Sequence, residues 1–486
     1  MITKDLLIEL KRKAQKLEPS QEIMSDHSNK TFEYIHNFYN NIYKEPAYID
    51  KEDKSAELLN HPFTENGYGF DHTLQLFKSE IDESGLNPAS GGHLGYIPGG
   101  GIYHSALADA LADVTNEYAG HFFGGPGAVR AENMFLRWLM EITGFPKNSI
   151  GNLTSGGSIA NLIGIVTARD AKNINSQNIR SSVIYMSEHA HHCNPKAIRI
   201  SGLGECVLRK VKLDEDRKID ASALKSQIES DKKEGLNPFL IIASAGTTDL
   251  GTIDPLNEIS NIAQDNNCWF HIDAAYGGFF VLTEEGKEKL SGIEKADSLV
   301  VDPHKGMFLP YGLGAVLVKN QEAIKKSHHY EANYMQDAMS AIEEISPADV
   351  SPELTKHFRG LRAWFPLMIN GTQVFKDAAE EKLALCKYFY EEIGKIEGME
   401  RGPEPELSVC AFRYIPKNID PNEFNLALTE SIRKDGRVFH SSTLIDDKIY
   451  IRLACLSIRT HIETIELSLK VIQEKIKELE YRYQNA

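Results

Sequence analysis

Cysteine is scarce: six residues in 486, at positions 193, 206, 268, 386, 410 and 455, with no C-x-x-C spacing. That argues against a disulfide framework or a zinc site and fits reduced thiols in a cytoplasmic protein, with no metal expected. Positive charge is also short. Lys and Arg number 53 against 69 Asp and Glu, a formal charge of −16 with no prominent basic cluster, so neither nucleic acid nor an acidic membrane surface is an expected partner. No apolar run approaches the length that spans a bilayer, and Met1 to Lys16 carries acids and bases where a signal peptide has its apolar centre. Internal repeats and low-complexity linkers are missing as well.

What remains is an ordinary apolar and charged composition over a length that suggests two or three domains and a large core. From about residue 150 onward, short β-favouring runs alternate with helical patterns: Ser182–Met186, Glu205–Val211, Phe239–Ala243, Ser298–Val301 and Leu313–Val318 read as strands. The rhythm predicts an α/β fold with a large, mostly parallel sheet covered on both faces. Helices at Ala378–Ile396 and Ile462–Tyr481 with strands at Ser408–Tyr414 and Lys448–Cys455 predict a smaller α+β domain at the carboxyl end. The organisation expected is a helical segment over 1–90, a large domain over 91–370 and a small one over 371–486.

Three stretches carry chemistry. Ser298–Val301 runs into Asp302-Pro303-His304-Lys305-Gly306, which delivers a lysine to the carboxyl edge of the sheet, where open α/β folds bind ligands. An amine there, beside the His304 imidazole, can lose its proton and capture an aldehyde; taken alone, the stretch reads rather as a solvated turn lysine. Upstream, Cys268 to Gly278 reads as a buried strand ending at Asp273, followed by Ala274, Ala275 and Tyr276. Small residues leave room for a flat ring, and the acid could keep a pyridinium nitrogen protonated, although strand-end aspartates are also common caps. Third, Leu153 to Leu162 places Gly156-Gly157-Ser158 at a helix start, where exposed N–H groups and a hydroxyl suit a phosphate or simply cap the helix.

A phosphate cradle, a pyridinium acid and an aldehyde-capturing lysine in this order are the contacts that pyridoxal phosphate (PLP) needs. With Ser187-Glu188-His189-Ala190-His191, Gly246-Thr247-Thr248, Asp273-Ala274-Ala275-Tyr276 and Pro303-His304-Lys305, the sequence resembles the group II PLP-dependent amino-acid decarboxylases, relatives of aromatic-L-amino-acid and glutamate decarboxylase. The resemblance runs from about Gly92 to Arg459. It implies the aminotransferase-like fold type I, a homodimer with its site between subunits, and an amino-terminal arm that wraps the partner.

By resemblance, Lys305 tethers the cofactor, Asp273 and Ala275 hold its ring, and Gly156, Gly157, Ser158, Thr248, His304 and Asp302 complete its cradle. His191 stacks on the ring, and Tyr334, on the irregular segment 327–355, returns a proton to the substrate carbon after carbon dioxide leaves; Tyr330 is its rival. Tyr96, Pro98, Tyr118, His121 and Phe122 are expected to line the substrate pocket, and Arg452 resembles the arginine of the family's closing strand. Three departures concern the pocket and the lysine. Gly92-His93-Leu94-Gly95 replaces bulkier family residues, Gly306 stands where the aromatic branch has tryptophan, and Asp302 where it has asparagine, a carboxylate that needs neutralising beside a phosphate. The reaction expected is decarboxylation of an L-amino acid, aromatic as a first choice. Acidic or smaller substrates, a carbon–carbon lyase of the sphingosine-phosphate-lyase kind, an aldehyde synthase and an idle binding scaffold are the alternatives.

Overall fold

The computed structural model describes residues 2–50, 54–329 and 344–485. Seven strands form the large sheet: β1 (Ile150–Thr154), β2 (Ser182–Ser187), β3 (Val207–Val211), β4 (Asn237–Ser244), β5 (Trp269–Asp273), β6 (Ser298–Val301) and β7 (Gly314–Val318), in the order β1-β7-β6-β5-β4-β2-β3. The pairs β2–β3, β2–β4, β4–β5 and β5–β6 are parallel, whereas β7 runs antiparallel to both β1 and β6.

The apolar strand sequences explain the burial. Period-two alternation sends Ile241, Ala243, Ile272, Leu299 and Val301 into one core, and Leu240, Ile242, Trp269, Val300 and Val316 into the core on the opposite face. Helix Gly157–Ala171 packs on the second face, with Ala160, Ile163 and Ile165 fully buried.

The strand expected at Leu313–Val318 forms, but its direction breaks the β-α-β rhythm. Between β6 and β7 there is only the four-residue helical turn Pro303–Gly306. A parallel return needs an element that crosses the sheet; here the backbone turns back through Phe308 at φ +61° and Gly312 at φ +99°. This reversal exposes the turn bearing Lys305 at the sheet's carboxyl edge.

A second, all-antiparallel sheet, in the order Met399–Arg401, Val409–Tyr414, Lys448–Ala454, Ser441–Ile445, carries helices Gln373–Ile393, Pro421–Asp435 and Ile462–Gln484. Phe389, Phe412, Phe424, Ile451 and Ile472 form its core. At the amino end, helices Lys4–Ala14 and Gln21–Asn41 bury no residue within the chain and leave Leu7 and Ile8 more than half exposed. Among the described residues, no helix is long and apolar enough to cross a membrane.

Candidate active site

The carboxyl ends of the parallel strands converge on a cavity of about 250 Å³. Its lining comes from the start of helix Gly157–Ala171, the segment after β2, the ends of β4 and β5, and the turn after β6. Gly156, Gly157, Ser158, His191, Thr248, Asp273, Ala275, Asp302, His304 and Lys305, far apart in sequence, all contribute.

Asp273 ends β5, level with Ser244 on β4 and Val300 on β6. Its Oδ2 accepts from Asn194 Nδ2 at 3.0 Å, Asn161 Nδ2 at 3.2 Å and the Cys193 thiol at 3.9 Å. Oδ1 accepts the Ala275 amide at 3.2 Å. One oxygen is thus saturated and the other retains accepting capacity. Burial, then the neighbouring Asp273 carboxylate, pushes the Cys193 thiol well up, so it remains a neutral donor.

Lys305 projects from the helical turn, with Nζ 3.1 Å from Asp302 Oδ2. Burial alone would lower this amine, but the carboxylates of Asp302 and Asp273 outweigh it and raise it above its ordinary value. The lysine is therefore stored as an ammonium, not as the free amine that a rim position beside an imidazole suggests. Asp302 finds its neutralising partner in Lys305, with His304 Nε2 at 3.7 Å; its other oxygen is buried with no hydrogen-bond partner. His304 is held by Nδ1–H donating to the Leu313 carbonyl at 2.6 Å, and burial lowers its basicity.

His191 sits half-buried at the cavity wall, its Nδ1 accepting the Cys193 amide at 3.3 Å. Burial lowers it, against the pull of Asp273, which favours a neutral ring. At the cradle, a Cβ on Gly157 would meet Asp302 Oδ2 at 2.8 Å and the Ala275 methyl at 3.2 Å, so glycine is required for this close approach.

The substrate-side expectations are met differently. Tyr96, Pro98, Tyr118, His121 and Phe122 do not line this cavity in the single chain. Tyr96 is 58% exposed, at φ +48°, and its carbonyl accepts from Arg452 Nη2 at 3.0 Å. Arg452 thus fastens the glycine-rich segment; its other contact is Ser441 Oγ, not a carboxylate. Tyr118 stacks on His121, and Phe122 is buried beneath the Arg130 guanidinium. The glycines before them approach protein, not an open cavity: a Cβ on Gly99 would lie 2.4 Å from the His304 carbonyl oxygen. Tyr334 and Tyr330 lie outside the described residues.

Sequence reasoning assigned no role to Asn161, Cys193 or Asn194, although all reach the cavity or Asp273. Asn161 had one signal: a lone amide one helical turn past Gly157, set in the apolar run Ile159 to Val166. Among the described residues, no group of three or more His, Cys, Asp or Glu side chains is placed to hold a metal ion.

A cationic ring nitrogen, an aldehyde and a phosphate match this donor set. Asp273 Oδ1 can accept from the nitrogen, Lys305 can take the aldehyde, and the helix start at Gly156-Gly157-Ser158 offers N–H groups at its positive end. Similarity to known proteins identifies the family. The family profile described as "Pyridoxal-dependent decarboxylase conserved domain" matches residues 92–415. An aromatic-L-amino-acid decarboxylase from Bacillus atrophaeus is 31% identical, with 95% of this chain and 98% of that protein covered. An acidic amino acid decarboxylase from Xenopus tropicalis is 30% identical over 77% of this chain and 73% of its own length, and an L-2,4-diaminobutyrate decarboxylase from Acinetobacter baumannii is 30% identical over 68% of each. In three dimensions, Oryza sativa TDC solved with PLP and tryptamine superposes with a TM-score of 0.89 at 20% identity, covering 95% of this chain and 99% of that one. The match to that chain shows the shared fold, type I, with its large mixed sheet and smaller antiparallel one. Sequence, fold and donor set lead to one conclusion: the chain belongs to the pyridoxal-dependent decarboxylases and is a PLP-dependent amino-acid decarboxylase.

Proposed function

We propose that the protein decarboxylates an aromatic L-amino acid to its amine. The observation that carries this reading is the near end-to-end similarity to the aromatic-L-amino-acid decarboxylase of Bacillus atrophaeus, 98% of which is covered. The 30% identity to an L-2,4-diaminobutyrate decarboxylase makes a substrate with a basic side chain the second reading.

When bound, PLP supplies an electron-accepting ring for the electron pair left by departing carbon dioxide. The chain supplies the rest. Asp273 holds the ring nitrogen protonated through Oδ1, its other oxygen being fixed by Asn161, Asn194 and Cys193. Lys305 tethers the aldehyde, and Asp302 Oδ2, at 3.1 Å, holds its amine in place. Gly156, Gly157 and Ser158 hold the phosphate, with Thr248 and His304 beside it. His191 covers the ring face, and Tyr334 returns a proton to the substrate carbon. Tyr96, Pro98, Tyr118, His121 and Phe122 serve the substrate side from across a homodimer interface, and residues 1–90, with their unburied helices, form the arm that clasps the partner.

Borohydride reduction of the cofactor-loaded protein followed by peptide mapping tests the tether: the label belongs on Lys305, and recovery of unmodified Lys305 rejects it. Incubation with each proteinogenic amino acid and with 2,4-diaminobutyrate, scoring amine and carbon dioxide, tests the substrate. Turnover of aspartate or glutamate in preference to tyrosine, tryptophan and phenylalanine would overturn the aromatic reading. Aldehyde with ammonia and hydrogen peroxide in place of amine would overturn simple decarboxylation.

A further inference from the structure

Behind Asp273, between the sheet and helix Gly157–Ala171, lies a line of polar side chains of which the mechanism uses only Asn161. Trp269 Nε1–H donates to Ser298 Oγ at 2.8 Å. Ser298 Oγ is 2.7 Å from His271 Nδ1, and His271 Nε2 is 2.7 Å from Asn161 Oδ1. Asn161 Nδ2 then reaches Asp273 Oδ2 at 3.2 Å and the Gly157 carbonyl at 2.9 Å. Ser298, His271 and Asn161 are each wholly buried, in an otherwise apolar core. Buried polar groups in such a place are costly unless all are satisfied, and here every one is.

The two ends dictate the direction of every bond between them. An indole N–H can only donate, and an ionised carboxylate can only accept. The amide of Asn161 must therefore turn its Nδ2 to Asp273, which leaves Oδ1 facing His271 and requires the proton on Nε2. The Nδ1 lone pair then accepts the Ser298 hydroxyl, whose oxygen is already taken by Trp269. Burial, partly opposed by the Asp273 charge, lowers His271 to about 4, so the ring is neutral and a single tautomer satisfies the chain. Strand register builds the line: His271 and Ser298 are directly paired across β5 and β6. Gly164 makes room for it, since a Cβ there would lie 2.6 Å from His271 Cε1.

We propose that Trp269, Ser298, His271 and Asn161 form a one-way hydrogen-bond relay that positions Asp273, locking the Asn161 amide so that Oδ2 is held from behind and Oδ1 is left for the ring nitrogen. His271 and Ser298 are positioning residues that touch neither cofactor nor substrate. The proposal rests on the reading of Asp273 as the nitrogen's partner, and the test separates the two.

Full-length protein stripped of cofactor is equilibrated by dialysis with PLP and, separately, with its 1-deaza analogue, which keeps the aldehyde and phosphate but has carbon in place of the ring nitrogen. The native protein is expected to prefer PLP roughly tenfold or more, the scale of one hydrogen bond to a charged group. Asp273→Ala abolishes that preference. Ser298→Ala and His271→Phe reduce it several-fold while leaving affinity for the analogue near native, since a merely structural injury would weaken both ligands alike. If Asp273→Ala keeps the preference, Asp273 does not serve the nitrogen and the underlying reading falls. If Asp273→Ala loses it but Ser298→Ala and His271→Phe keep it in full, the relay is overturned. Should His271→Phe fail to fold, Ser298→Ala, which removes one oxygen, and Trp269→Phe, which removes the terminal donor, decide the matter by the same comparison.

Discussion

Replacing Asp302 by asparagine removes the charge that holds Lys305 as an ammonium while keeping the shape of a fully buried side chain. At the observed 3.1 Å, the attraction amounts to about 5 kcal/mol for an effective dielectric of about 20. The asparagine dipole retains part of it, and Asp273 still pulls on the amine, so we carry forward only about a quarter. That quarter is close to the ~1.4 kcal/mol that corresponds to a tenfold change in the fraction of free amine. Capture of the cofactor aldehyde by Asp302→Asn apoprotein at neutral pH should therefore be roughly tenfold faster than native, and its rate should level off at lower pH. Stopped-flow absorbance after mixing with PLP across a pH series measures both. A second consequence follows by linkage. Lys305 is raised in the folded state, so the pair stabilises the apoprotein fully below the ordinary lysine value of 10.5 and the contribution is lost as pH rises through the folded value. The variant's stability deficit should thus be present at pH 7 and shrink in alkali. Unchanged capture rate and unchanged pH profile together would refute the ion-pair reasoning.

Acid should destabilise the fold before carboxylates titrate fully. His93, His271 and His440 are each lowered to about 4 by burial. Between their ordinary 6.5 and 4 the unfolded chain binds more protons, so stability falls as pH falls through that window, while Asp254, raised to about 6 by burial, acts in the opposite sense and offsets part of the loss. Urea midpoints at pH 7 and pH 5 check this, with the lower value expected at pH 5. Gly157→Ala drives a methyl group against Asp302 and Ala275, and cofactor affinity measured by equilibrium dialysis should drop about tenfold or more. Lys356 and Glu132 form a fully buried pair at 2.5 Å. Glu132→Ala, which strands the ammonium, should cost about 3–5 kcal/mol in denaturant unfolding, and adding Lys356→Met should recover much of it.

Much of this enzyme was legible in one dimension. The strand-stopping Asp302-Pro303-His304-Lys305, the acid and small residues after Phe270, and the glycine pair opening a helix are local signals, because strand ends, caps and tight turns are set by a few neighbouring residues. They announced a parallel sheet, its carboxyl edge and the cofactor set. The sequence could not set the direction of β7, which depends on whether a crossover element fits between strands. Nor could it reveal that Lys305 waits as an ammonium, since that follows from two carboxylates at the ends of different strands meeting one buried amine. The locations of Tyr96 and Phe122 were equally hidden: glycines permit close approach without specifying what approaches. His271 illustrates the division. Its place in an apolar strand is written in the sequence, but its tautomer is decided by a serine across the sheet and an asparagine on a helix, brought within hydrogen-bonding distance only when the layers pack.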